Sequence, residues 1–294
     1  MQFQIVDTES AYRRLLAAPD AAAREAIFRT ELVEPFSGLV RFFGGDGLAT
    51  FAQWGMSPEQ FAGGQADKMG KVIEALAAHD AWSQAAQALE EGRAAFAPYQ
   101  DRLRLDTVVF GLLVADMSNA PWARGYTGFG GFPGWIMTVY GEPDEYNLAR
   151  VKAATVHELH HNILGSTQPG ILIASLGQYM VGEGLAESFA TELYGADMAG
   201  PWVTEFDDSR LDETKALFKA ALGITDFNAM RRYIFGDPVT AGMGQGEGVG
   251  VPLYAGYALG YRVVQAYLRR TGQSVVEATF VPAAEIIERS EFFA

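Results

Sequence analysis

Residues 155–165 read TVHELHHNILG, and they hold three of the four histidines in a chain of 294 residues. His157, Glu158 and His161 form H-E-x-x-H. A helix turns about 100° per residue, so positions i and i+4 share a face. Two imidazoles spaced in this way can both reach one zinc ion. The glutamate between them stands beside the metal rather than on it. There a carboxylate can take a proton from water and later deliver it to a leaving amine. This reading needs a helix over about 147–164, with Gly165 able to end it in a left-handed cap. His160 projects toward the side of Ala149, Ala153, Val156 and Ile163, and reads as a core or supporting histidine rather than a ligand.

The flanking sequence sets that helix in its fold. LDTVVFGLLVAD (105–116) is a β-branched, apolar run of strand length, and WIMTVYG (135–141) reads as a second strand. Between them NAPWARGYTGFGGFPG (119–134) reads as a glycine-rich aromatic loop, and GEPDEYN makes a turn before the helix. QFQIV (2–6) alternates as a short strand. Helical patterns then run to about residue 98, including 68–78 and 80–97, with SPEQ (57–60) as a capping box. Further helices are expected at 175–194, 210–222, 226–234, 253–270 and 282–291. No internal repeat or polar linker divides the chain. The expectation is an α+β fold and a single catalytic unit over 1–294, with approximate lobes 1–165 and 166–294. A small mixed sheet would lie near the metal helix, and a helical C-terminal lobe across a cleft.

Composition narrows the partners. Hydrophobic residues make up 49% of the chain, enough for a substantial core. The net charge of −14 repels phosphate backbones and anionic membranes, so nucleic acid and membrane are set aside as partners. With no cysteine, a metal must be held by His, Asp or Glu. No leader pattern and no apolar run of spanning length is present, so a cytoplasmic location is expected. Oligomeric state is not readable.

A catalytic zinc usually keeps three protein ligands and one open position. The continuation H-E-x-x-H-x-x-G-x-x-H fails, because Leu164 and Thr167 occupy its Gly and His positions. The alternative is VGEGLAESFATELYG (181–195), which offers Glu183, Glu187 and Glu192. Glu183 and Glu187 share a helix face, and Glu192 lies opposite Glu183. One of the first two would bind metal, and the other would accept the N–H of a ligand imidazole; spacing does not rank them. Gly182, Gly184 and Ala186 would let this helix approach the metal helix closely. An oxyanion formed at a carbonyl needs a further donor. His79 is remote, so Tyr254, Tyr257 and Tyr261 are the residues to weigh. The glycine-rich run 242–250 lacks the Lys-Ser/Thr of a phosphate loop, and reads as a mobile connection or a lid.

HELHH followed 22 positions later by the first Glu of EGLAE resembles the gluzincin metallopeptidases, the group of thermolysin and the zinc aminopeptidases. HELHHNI, EGLAE and GYALGYRVVQAYL look most like a bacterial family of predicted zinc-dependent proteases. The resemblance is strong over 150–195, fair over 252–270 and weak in the first hundred residues. It implies a thermolysin-like catalytic domain with Zn²⁺ on His157, His161 and Glu183. Glu158 would be general base and acid, and Glu187 the acidic partner of a ligand histidine. Tyr257-Ala-Leu-Gly260 is similar to the Tyr-x-x-Gly of the aminopeptidase catalytic tyrosine, so Tyr257 would steady the oxyanion, with Tyr261 in reserve. In related enzymes the strand before the metal helix pairs with extended substrate. WIMTVYG would be that strand, with Gly130 and Gly131 leaving space for a ligand backbone. The expected activity is hydrolysis of a peptide or protein substrate. The alternatives are a non-catalytic metal-binding or regulatory protein, and a zinc hydrolase of ester or epoxide bonds.

Overall fold

A computed structural model describes residues 1–242 and 248–294. Its strands are β1 (Gln2–Ile5), β2 (Thr107–Val114), β3 (Tyr126–Phe129) and β4 (Trp135–Tyr140), joined in one sheet of order β1-β2-β4-β3. β1 and β4 pair parallel to β2, and β3 pairs antiparallel to β4, so the sheet is mixed. The helices of seven or more residues are α1 (Thr8–Ala17), α2 (Ala21–Ile27), α3 (Ser37–Phe43), α4 (Gly47–Gln53), α5 (Gly63–Ala78), α6 (Ala81–Ala95), α7 (Val151–Thr167), α8 (Leu176–Tyr194), α9 (Leu211–Ala221), α10 (Phe227–Phe235), α11 (Ala255–Thr271) and α12 (Ala283–Ser290). The α+β class is as expected. Two compact units form: Met1–Ala94 with Leu105–Asn162, and Ala95–Arg104 with Ile163–Ala294. None of the described helices is long and apolar enough to cross a membrane.

The first unit is built on the sheet. β2 is buried on both faces from Phe110 to Val114, which explains its near-continuous apolar run. Helices from the long β1–β2 connection cover it. The Tyr12 hydroxyl of α1 accepts the Val114 N–H at 2.8 Å, and Trp82 Nε1 donates to Thr8 Oγ1 at 2.8 Å. Burial pushes the Tyr12 phenol pKa well up. The strand β3 corrects the expectation of a loop throughout 119–134. GYTGFGG carries three β-formers among four glycines, and only pairing with β4 makes a strand of it.

The second unit centres on α8, buried at every position from Met180 to Thr191. Ser175 caps it, its Oγ accepting the Gln178 N–H at 3.3 Å. A Cβ on Gly184 would lie 2.1 Å from Gly260 O, and one on Gly260 would lie 2.1 Å from Met180 O. The close approach that Gly184 provides is therefore to α11. Gly182 lies beneath Leu172 and, as expected, faces the metal helix α7, with Leu164 Cδ2 3.5 Å from its would-be Cβ.

Both ends of the metal helix differ from expectation. α7 runs through Gly165 to Thr167, and the left-handed glycine comes at Gly170 with φ 79°. Upstream, the helical stretch breaks into a capped turn, Glu145–Leu148, before α7 begins at Val151. SPEQ does cap, with Ser57 N–H donating to Gln60 Oε1, but it opens only the single 3-10 turn Pro58–Phe61.

Candidate metal centre

α7 carries its polar residues inward. His157 and His161 are 4% exposed, Glu158 9% and His160 0%. Buried ionisable groups are costly unless they are paired or ligating. His157 Nε2 and His161 Nε2 stand 3.1 Å apart, with the rings at 81°. Two nitrogens on a tetrahedral zinc at its usual bond length would be separated by about 3.4 Å. The ring nitrogens are therefore already spaced for one ion. Glu183, on α8, offers a carboxylate oxygen, and the ligand atoms of His157, His161 and Glu183 all lie within 4.8 Å of one another. Two imidazoles and one carboxylate, all buried, make a donor set suited to Zn²⁺. Among the described residues no other trio of His, Cys, Asp or Glu converges in this way.

Glu158 is set by β3. A Cβ on Gly128 would lie 2.2 Å from Glu158 Oε1, and a Cβ on Gly130 would lie 2.1 Å from the Glu158 carbonyl oxygen. The strand and the turn after it thus press against this one helical residue. One turn further along α7, Asn162 clamps the same turn. Its Nδ2 donates to Gly130 O at 2.6 Å and to Trp135 O at 2.9 Å, and its Oδ1 accepts the Gly134 N–H at 2.7 Å. Asn162 and Gly128 were missed by sequence reasoning. The available signal was that Asn162, four residues after Glu158, shares its face.

The substrate strand also needs correcting. β4, the WIMTVYG strand, has β2 on one side and β3 on the other, so neither of its edges is free. The edge strands are β1 and β3, and β3 is the one that lies against Glu158. Space at Gly130 is taken by the α7 backbone, and its carbonyl by Asn162. Gly131, half-buried, lies in the same turn.

The second unit distinguishes the acids of α8. Glu187 is 2% exposed; its Oε1 accepts the Gly200 N–H at 2.5 Å and its Oε2 the Trp202 Nε1–H at 2.7 Å. These bonds fix the orientation of the carboxylate, as a supporting role demands. Glu192 accepts the Val275 N–H at 3.1 Å, well along the helix from Glu183. The Trp202 ring lies 6.1 Å from that of Tyr257, which Phe235 and Tyr254 also border at 5.8 and 6.2 Å. Tyr257, half-buried in the first turn of α11, is thus held on the side of Glu187. The residue before that helix, Tyr254, adopts φ 59°, a left-handed conformation that costs energy for a tyrosine. Tyr261 turns its hydroxyl to Thr191 Oγ1 at 3.4 Å. Trp202 is a further residue that the sequence did not single out. In the run 242–250, residues 243–247 lie outside the described residues. Asp237 holds the end of that run by accepting the Val249 and Gly250 N–H groups, both at 2.8 Å.

Known proteins bear on this geometry. Residues 81–288 match the family described as predicted Zn-dependent protease (DUF2268), a span that takes in β2 to β4, α7, α8 and α11. The chain is also 32% identical over 311 residues to the Bacillus subtilis (strain 168) protein named "Uncharacterized protein YjfC", covering 100% of this chain and 99% of that one. No solved structure matches. With most of its length inside the match, and the His-His-Glu group within it, the chain belongs to the predicted Zn-dependent protease (DUF2268) family.

Proposed function

We propose that this protein is a zinc metallopeptidase with a thermolysin-like (gluzincin) active site, which cleaves peptide bonds with water. The observation that carries the reading is the convergence of His157, His161 and Glu183 within 4.8 Å, with Glu158 packed beside them against Gly128. Zinc held by the three would supply a Lewis acid that polarises the carbonyl and makes a water acidic at neutral pH. Glu158 receives the proton of the attacking water on its carboxylate and passes it to the departing amine nitrogen. Its contact with Gly128 holds that carboxylate in one position, which keeps the proton path short. Glu187, locked by Gly200 and Trp202, orients a ligand imidazole. Tyr257 donates to the oxyanion of the tetrahedral intermediate. A peptide aligned along the free edge of β3 would run past Glu158, since Gly128 lies on that strand.

The test is Glu158→Gln. The variant should retain one zinc per chain by metal analysis, while hydrolysis of a quenched-fluorescence peptide pool falls about 10²- to 10⁴-fold. A variant that keeps both its metal and its full rate refutes the assignment.

A further inference from the structure

The first unit carries an aromatic ridge that the chemistry above leaves unused. Phe42 and Phe43, at the end of α3, are 65% and 46% exposed, unusually open for large apolar side chains. They do not stand alone. Phe42 lies 4.1 Å from Phe132 between ring centroids, and Phe43 packs on Phe129, Phe132 and Trp54. Phe129 stacks in turn on Trp54 and Phe132. Phe129 is the last residue of β3, directly after Gly128.

The register explains what such a ridge can read. Gly141 N–H bonds Gly125 O at 2.9 Å, so the bonded pairs of the β3–β4 ladder fall on the odd residues of β3. Gly128 therefore turns its N–H and C=O away from β4, and no other described segment bonds them. The missing side chain of Gly128 points at Glu158, so Phe129 points to the opposite face of the sheet. A peptide added to this edge would alternate in the same way. Residues on one face would meet Glu158, and their immediate neighbours would meet the ridge.

We propose that the ridge of Phe42, Phe43, Trp54, Phe129 and Phe132 is a specificity surface for extended peptides bearing a large apolar, above all aromatic, side chain next to the residue held at Glu158. The proposal rests on the peptidase reading for its geometry. The occupant is a peptide because the ridge is continuous with the free strand edge beside Glu158. A net charge of −14 works against an anionic lipid surface there.

The experiment uses the full, zinc-loaded chain and ten-residue Ser/Ala peptides in which a single Phe moves through each position. Cut sites are mapped by mass spectrometry, and binding to the Glu158→Gln protein is measured by calorimetry. Cleavage should fall at a constant offset from the Phe and exceed that of the Phe-free peptide roughly tenfold. In the Phe42→Ser/Phe43→Ser variant, altered only at exposed positions, that ratio should fall toward one, and Glu158→Gln carrying the same two changes should bind the Phe peptide more weakly. Phe129→Ala should act in the same direction. Cleavage indifferent to Phe, or a preference unchanged in the double variant, overturns the ridge and leaves the peptidase standing. Ridge-dependent binding with no cleavage by the unaltered protein sustains the ridge and overturns the peptidase. Ridge-dependent self-association or vesicle flotation, without an effect on peptides, overturns the proposal in favour of a second copy or a lipid.

Discussion

Glu158 and Gly128 form a pair in which the smaller residue governs the larger. The carboxylate can lie where it does because Gly128 has no Cβ; one methyl there would sit 2.2 Å from Oε1. Gly128→Ala should therefore displace the carboxylate without touching a metal ligand. We expect unchanged zinc content, a peptidase rate reduced at least about tenfold, since small misplacements of catalytic groups are costly, and about 1–3 kcal/mol of lost stability from overpacking. Zinc analysis, a thermal melt and kcat on one peptide check all three. Gly223→Ala, with nothing within 4 Å of the added carbon, is the control and should stay near neutral. At this scale the sequence was informative wherever chemistry follows helical periodicity. His157, Glu158 and His161 were legible because one helix sets their phase. Glu183 and Glu187 were not separable, since one turn apart they present almost the same face. What distinguishes Glu187 is the pair of donors it accepts from, Gly200 N–H and Trp202 Nε1–H, both distant in sequence.

Between elements, the contact of α8 with α11 is made by glycines on both sides. Gly184 faces Gly260 O at a distance no Cβ tolerates, and Gly260 faces Met180 O in the same way. Backbone against backbone cannot relax by a rotamer change, so Gly184→Ala must part the helices. The expected cost is about 3 kcal/mol, the upper end for overpacking, read as a lowered urea midpoint with an unaltered slope. Helical glycines signalled close packing correctly, but they divide their partners: Gly184 meets α11, while Gly182 meets Leu172 and, on α7, Leu164, because the packing partner of a buried helix is a non-local property. The sheet teaches the same lesson. β2 and β4 are apolar enough to be read as strands, whereas β3 is defined by its ladder to β4. The assignment of the substrate edge to β4 failed for that reason: strand order, unlike strand propensity, is not written in any local window.

At the scale of the whole molecule, a chain that buries two histidines and a carboxylate at one point holds a polar cluster that a cation would relieve. An ion bound by the folded chain alone stabilises it by mass action, about 2.7 kcal/mol when free metal is a hundredfold above its dissociation constant. For proteins of this general size each kcal/mol moves Tm by about 2–4 °C, so zinc should raise it by several degrees. Chelator should reverse the shift. Because the ligands must be deprotonated to bind, the shift should shrink as the solution is made acid. The two acids of α8 then separate by their response. Glu183→Ala should abolish the zinc-dependent rise in Tm. Glu187→Ala should keep it at saturating zinc but require about 10- to 100-fold more metal to reach it, as loss of a partner that orients a ligand does. A scanning-calorimetry titration of the two variants against the unaltered protein decides the matter. If Glu187→Ala loses the shift outright while Glu183→Ala retains it, the roles of the two carboxylates are reversed.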